Sequence, residues 1–227
     1  MFKKVCRQCH NKHHTLLHIN KPTRPNNRGS TNHNRPADAK GNPTAEVNTF
    51  CSFKGKSRNQ ILLATSIVEL RNKSGQYVPC RTLLDSASQL HFITERCVQR
   101  LRFSKTQTRS SIQGINNSSV VANHCVSLYM RSRHTHWHDS LNCAILSDIT
   151  GTTPGTKLDT SSWRIPTVIK LANENFNTPG EIDLLFGADL FYEMLRLGRR
   201  IRPGYPLLQE AVLEWTLSGK TPVITSQ

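Results

Sequence analysis

Leu83-Leu84-Asp85-Ser86-Ala87-Ser88-Gln89 decides how this chain is read. Two apolar residues run into an acid and then into small hydroxylic residues, the pattern of a buried strand that ends by delivering Asp85 into a tight turn. Ser86 and Ser88 can bond local backbone there, where the strand ladder has stopped. On these residues alone an ordinary turn or helix cap is the simpler reading. The flanking chain has to decide.

Upstream, residues 61–70 are β-rich and apolar, Asn72-Lys73-Ser74-Gly75-Gln76 is a turn signal, and residues 77–84 form a second strand running into Asp85. A hairpin feeding a loop is predicted. Downstream, Phe92, Ile93, Cys97, Val98 and Leu101 fall at near-helical spacing over 92–101. Two β-prone runs then flank a tip of small and polar residues around Gly114, and residues 141–146 read as a further strand. A polar loop over 147–159 follows. The run Ile182-Asp183-Leu184-Leu185-Phe186-Gly187 is an apolar strand ending at glycine; a short helix is predicted over 190–197, and residues 207–217 close the domain after a basic segment.

Several fragments carry a resemblance. They are Lys12-His13-His14-Thr15-Leu16-Leu17-His18, the Asp85 run itself, Gly187-Ala188-Asp189-Leu190-Phe191-Tyr192-Glu193, Pro206-Leu207-Leu208-Gln209 and Trp215-Thr216-Leu217-Ser218-Gly219. In this order they resemble the retropepsin-like aspartic proteases, and most nearly those of Pao/BEL-type retrotransposons. The resemblance implies an all-β, closed-barrel acid-protease fold with a short helix and one lobe per chain. It implies a homodimeric aspartic endopeptidase acting on extended peptide or polyprotein segments, with Asp85 as its catalytic acid and no cofactor for catalysis. By the same resemblance, Ser86, Ala87 and Ser88 support the active-site loop, Gly114 and Ile115 form a flap, and Leu184, Leu185, Phe186 and Gly187 pack beneath the acid. One departure is Ala87, where most aspartic proteases have glycine; if that position needs a positive φ, the methyl group strains the loop. The other is Glu214, where the family usually has glycine.

Other acids do not compete. Asp148 and Asp159 sit in polar loops rather than at the end of an apolar strand, too little chain follows them for a second lobe, and Asp189 belongs to a strand-to-helix turn. His134, His136 and His138 alternate, which would put them on one strand face as solvated edge residues.

The amino-terminal quarter has a different character. Cys6, Cys9, His14 and His18 form a C-x2-C-x4-H-x3-H set that can close on a structural zinc ion, like a zinc knuckle with histidine in its last place; a basic, His-rich tail is the alternative. The organisation expected is a zinc-knuckle-like segment over 1–19, a basic linker over 20–60, the protease domain over 61–218 and a tail over 219–227.

Of the formal charge of +15, a net of +10 lies in residues 1–60, where 12 Lys and Arg face only Asp38 and Glu46. That concentration makes RNA or DNA a candidate partner for the segment. The 7 cysteines are odd in number and mostly scattered, which points to an intracellular setting, cytoplasmic or in a retroelement particle. No apolar run approaches the roughly 18 residues of a membrane span.

Overall fold

The computed structural model describes residues 61–114 and 118–222. The segments assigned above to zinc and linker, and the flap residue Ile115, lie outside them. In chain order the elements are β1 (Ile61–Leu62), β2 (Thr65–Arg71), β3 (Tyr77–Leu84), β4 (His91–Thr94), α1 (Glu95–Leu101), β5 (Thr106–Gln113) and β6 (Ser119–Ser132). They continue with β7 (His138–Leu146), β8 (Leu184–Phe186), α2 (Ala188–Met194), β9 (Leu195–Arg200), β10 (Leu207–Ala211) and β11 (Glu214–Lys220).

Six strands close on themselves. The order β2-β3-β8-β4-β7-β6 returns to β2 through the pairing of Val68–Leu70 with Met130–Ser132, and β5 extends β6 as a hairpin. Closure removes the free edges that a strand-rich domain must otherwise protect. The expected all-β closed barrel with short helices is the class observed.

Strands that are buried on both faces explain the unbroken apolar runs. Leu84, Ile93, Leu184 and Phe186 belong to one core, and their neighbours Leu83, Phe92 and Leu185 to a second on the opposite face. The same double burial misleads the periodicity at 92–101. Residues 91–94 are fully buried strand, paired parallel with β7 and antiparallel with β8, and the helix starts only at Glu95. Thr94 caps it, its hydroxyl accepting from Cys97 N–H at 3.2 Å, and Arg102 ends it in the left-handed region at φ 56°.

Three further expectations shift. The single strand over 61–70 is two: β1 leaves the barrel to pair with β11, and β2 enters it. The second helix begins at Ala188, and its last expected turn is instead β9, which extends the sheet β1-β11-β10-β9. The histidines share no strand face: His134 and His136 lie in a bend, and only His138 enters β7. Among the described residues no helix is long and apolar enough to cross a membrane.

Hairpin β10–β11 turns inward, with Val212 and Leu213 buried in the main core and Val212 N–H donating to Met194 O at 2.8 Å. This tight reversal places Glu214 at φ 79°. The departure from glycine noted above therefore falls on a left-handed backbone, where a side chain costs on the order of 1 kcal/mol or more. Glu214→Gly should stabilise the domain by about 1 kcal/mol, raising Tm by about 2–4 °C for a domain of this size. A thermal melt with an unchanged or lower Tm would show that the strain is absent.

Candidate active site

Strand β3 carries Asp85 to the end of the barrel. Its last three residues pair in parallel with β8, Leu84 opposite Phe186, and Asp85 N–H donates to Phe186 O at 3.0 Å. Strand β8 runs between β3 and β4, so Leu184, Leu185 and Phe186, all fully buried, form the floor from which the loop rises. Asp85 itself is half-buried. Its Oδ1 accepts from Ala87 N–H at 3.0 Å, which fixes the carboxylate by an Asx turn and leaves its other oxygen available.

The rest of the loop is held by backbone and by Ser88. Ser88 Oγ donates to Leu90 O at 2.8 Å, and Ser88 O accepts from Ala188 N–H at 2.8 Å, so the loop is tied to the start of α2. Ser86 is exposed and makes no hydrogen bond among the described residues. The concern over Ala87 is removed. Positive φ at non-glycine residues occurs at Arg102, Arg164 and Glu214 and not at Ala87, so its methyl group meets no left-handed backbone.

Gly187 is required by close approach. A Cβ there would lie 2.8 Å from Leu90 O and 2.9 Å from Ser88 O, both backbone atoms with little room to move. Gly187→Ala should cost about 1–3 kcal/mol through this overpacking and displace the Asp85 loop. Hydrogen exchange would report it as faster exchange at residues 85–90, and unchanged rates there would contradict the tight fit.

His91 was not singled out from sequence, yet it braces the same corner. Gly187 N–H donates to His91 Nδ1 at 3.0 Å, so that nitrogen carries the lone pair and Nε2 carries the proton, 3.2 Å from Asp189 Oδ2. Asp189 thus serves the strand-to-helix turn, as its position implied. No local signal marks it, since its two partners lie 96 and 98 residues along the chain.

At the other side of β8 lies a buried cluster of Cys80, Cys97 and Asp183, their ligand atoms within 4.8 Å of one another. The place a cation would take is filled by Arg100. Its Nη2 stands 2.9 Å from Asp183 Oδ2, 3.3 Å from Cys80 Sγ and 3.7 Å from Cys97 Sγ. The two thiols are 3.8 Å apart. Their hydrogen bond pulls the Cys80 thiol below its ordinary range, and the same bond, with burial, pushes Cys97 up. Asp183 also accepts from Arg81 N–H at 3.2 Å and from Arg96, and it pins β3, α1 and the entry to β8 together.

Gly114 follows the end of β5, and its N–H donates to Ser118 O at 2.7 Å. The hairpin β5–β6 is therefore present where the flap is expected.

Among solved structures the chain is similar to EIAV protease complexed with an inhibitor, at 14% identity over 63% of this chain and 92% of that one, with a TM-score of 0.35. It is also similar to a retropepsin-like aspartic protease from Rickettsia conorii, at 14% identity over 70% of this chain and 96% of that one, with a TM-score of 0.29. No family model matches the sequence, and no curated protein matches it. The chemistry must be argued from Asp85 and its surroundings.

Proposed function

We propose that the chain is an aspartic endopeptidase whose active unit is a homodimer with one Asp85 from each copy. The observation that carries this is the setting of Asp85: a half-buried carboxylate, oriented by Ala87 N–H, on a loop braced from below by β8 and from the side by α2. One such acid is half a site. Two-fold symmetry supplies the other.

Two carboxylates about 3 Å apart cannot both ionise freely, so they share a proton and titrate as a pair. The ionised Asp85 draws a proton from water, which attacks the scissile carbonyl carbon. The protonated Asp85 of the second copy hydrogen-bonds the carbonyl oxygen, and the first Asp85 gives the proton it took from water to the amine nitrogen as the C–N bond breaks. Neither a metal nor a covalent intermediate enters this route. Hairpin β5–β6, with Gly114 and Ile115 in the flap role, would close over an extended peptide and add strand-like backbone hydrogen bonds.

Surface features are compatible with a second copy. Ser86 has an unused hydroxyl beside Asp85, and the outer strand β9 carries exposed Leu197, with exposed Tyr192 on α2. Apolar side chains on an open sheet edge are a surface that association would cover.

The natural substrate of the proposed enzyme is a retrotransposon polyprotein of Pao/BEL type, acted on within a cytoplasmic particle. Residues 1–19 would bind one structural zinc through Cys6, Cys9, His14 and His18, and the basic residues 1–60 would contact RNA or DNA. A second reading, a nucleic-acid-binding or dimerisation protein without activity, draws on the net +10 of those residues. A peptide library incubated with the purified chain, with and without pepstatin, separates the two. Pepstatin-sensitive cleavage supports the protease; no cleavage by a chain shown to be dimeric by sedimentation supports the second reading.

A further inference from the structure

Away from Asp85, the sheet β1-β11-β10-β9 and the loop before Ile165 border an open groove. Its lining is unusual in charge. Trp163, Ile165, Tyr205 and other apolar residues share it with Arg164, Arg200 and Arg202, and no acidic side chain lines it. None of the three arginines forms an ion pair among the described residues; of the two acids on that sheet, Glu210 and Glu214, the first accepts from Gly198 N–H at 3.0 Å. Three uncompensated cations around an apolar trough select a ligand that is both anionic and flat or apolar in part.

The arginines are also arranged rather than merely present. Arg202 Nη1 donates to Trp163 O at 3.2 Å, and its guanidinium lies 3.9 Å from the centre of the Tyr205 ring, which presents a flat, charged stacking surface. Arg200 stands 5.6 Å from the centre of the Trp215 ring. Arg164 is exposed, and its backbone is left-handed at φ 48°, an uncommon conformation for a non-glycine residue at the groove wall. Arg196 and Arg199 continue the positive charge along β9, so that residues 196–202 carry four arginines over about 20 Å of extended chain.

We infer that this groove binds single-stranded nucleic acid, with a base set against Ile165, Tyr205 and the Arg202 guanidinium, over a floor that includes the buried Trp163, and the neighbouring phosphates on Arg164, Arg200 and the arginines of β9. Stacking surfaces beside a line of cations are what sequence-tolerant binding of a single strand requires. An acidic peptide would satisfy the charges and leave the flat apolar space unfilled. No residue of the Asp85 loop lines the groove, and its binding does not depend on Asp85 being active.

The test uses the full chain and a fluorescent 12-mer oligouridylate carrying one 4-thiouridine. Fluorescence anisotropy between 50 and 200 mM salt gives the affinity and its salt slope, and ultraviolet cross-linking followed by mass spectrometry gives the contact. The expected cross-links include the peptide bearing Tyr205. In Arg164→Gln/Arg200→Gln these cross-links should disappear, with a logarithmic salt slope shallower by about 1.4, or 0.7 for each charge removed. Both side chains are on the rim, and the paired Arg→Lys variant should keep the wild-type slope, which separates lost charge from lost fold. Cross-links confined to residues 1–60, or an unchanged slope in the Gln variant, would overturn the inference. So would a 12-residue oligoglutamate that displaces the oligonucleotide at equal concentration, or uridine monophosphate binding as tightly as the 12-mer.

Discussion

Asp85→Asn is expected to remove peptide hydrolysis by a factor on the order of 10⁴ while leaving the fold intact. The amide keeps the size of the carboxylate and can still accept from Ala87 N–H through its oxygen, the bond that orients the side chain at 3.0 Å. What it loses is the ability to hold or release a proton, and both halves of the proposed mechanism need that. Because each active unit draws one acid from each copy, a mixture shows more than the variant alone. After equal amounts of wild type and variant have exchanged subunits, only about a quarter of the dimers carry two acids. Activity should therefore fall to about a quarter of the wild-type value at the same total concentration. A fall to only one half would mean that each chain works alone, and cleavage that survives in pure Asp85→Asn would remove Asp85 from the chemistry.

The largest loss of stability is expected from Asp183→Ala. Asp183 is 8% exposed at its side chain and gathers Arg81 N–H, Arg96 and Arg100, while its own backbone bonds Arg81 O and Thr94 N–H. Removing the carboxylate leaves Arg81 N–H without its acceptor and strands Arg100 beside buried thiols, while Arg96 keeps its pair with Glu181. Arg96 and Arg100 are 45% and 42% exposed at their side chains, so solvent screens much of the Coulomb energy, and water can reclaim them. With that discount the cost is about 2–3 kcal/mol, below the full value for an uncompensated buried charge. Denaturant unfolding should show a lower midpoint at an unchanged m-value. In an Arg100→Ala background the same substitution should cost less, since the two residues share one network. Equal costs in both backgrounds would show that Asp183 and Arg100 do not act together.

Local chemistry made much of the site readable. An apolar strand ending in Asp-Ser-Ala-Ser announces a turn with an acid in it, and the Leu184-Leu185-Phe186-Gly187 run announces a buried strand that stops at a glycine. His91 and Asp183 were not readable in the same way. Their roles come from partners 83–102 residues away in the chain, Gly187 and Asp189 for His91, and Arg81, Arg96 and Arg100 for Asp183. Neither residue sits in a local pattern that distinguishes it from a capping or surface polar group. The apolar spacing at 92–101 could not separate strand from helix, because a strand buried on both faces has no period to show.

What sequence alone determined about this protein is the location of the acid, the β character of its surroundings and the split between a basic amino-terminal quarter and a β-rich remainder. These follow from short-range rules: turn chemistry, β propensity and composition act within a few residues. Tertiary structure decided the rest. Closure of six strands, the passage of β8 beneath Asp85 and the contact of Gly187 with Ser88 and Leu90 are pairings of distant segments. The same holds for the two departures from glycine. Ala87 is harmless and Glu214 is strained because φ is set by how the chain must turn to meet its partners, and no residue name encodes that by itself.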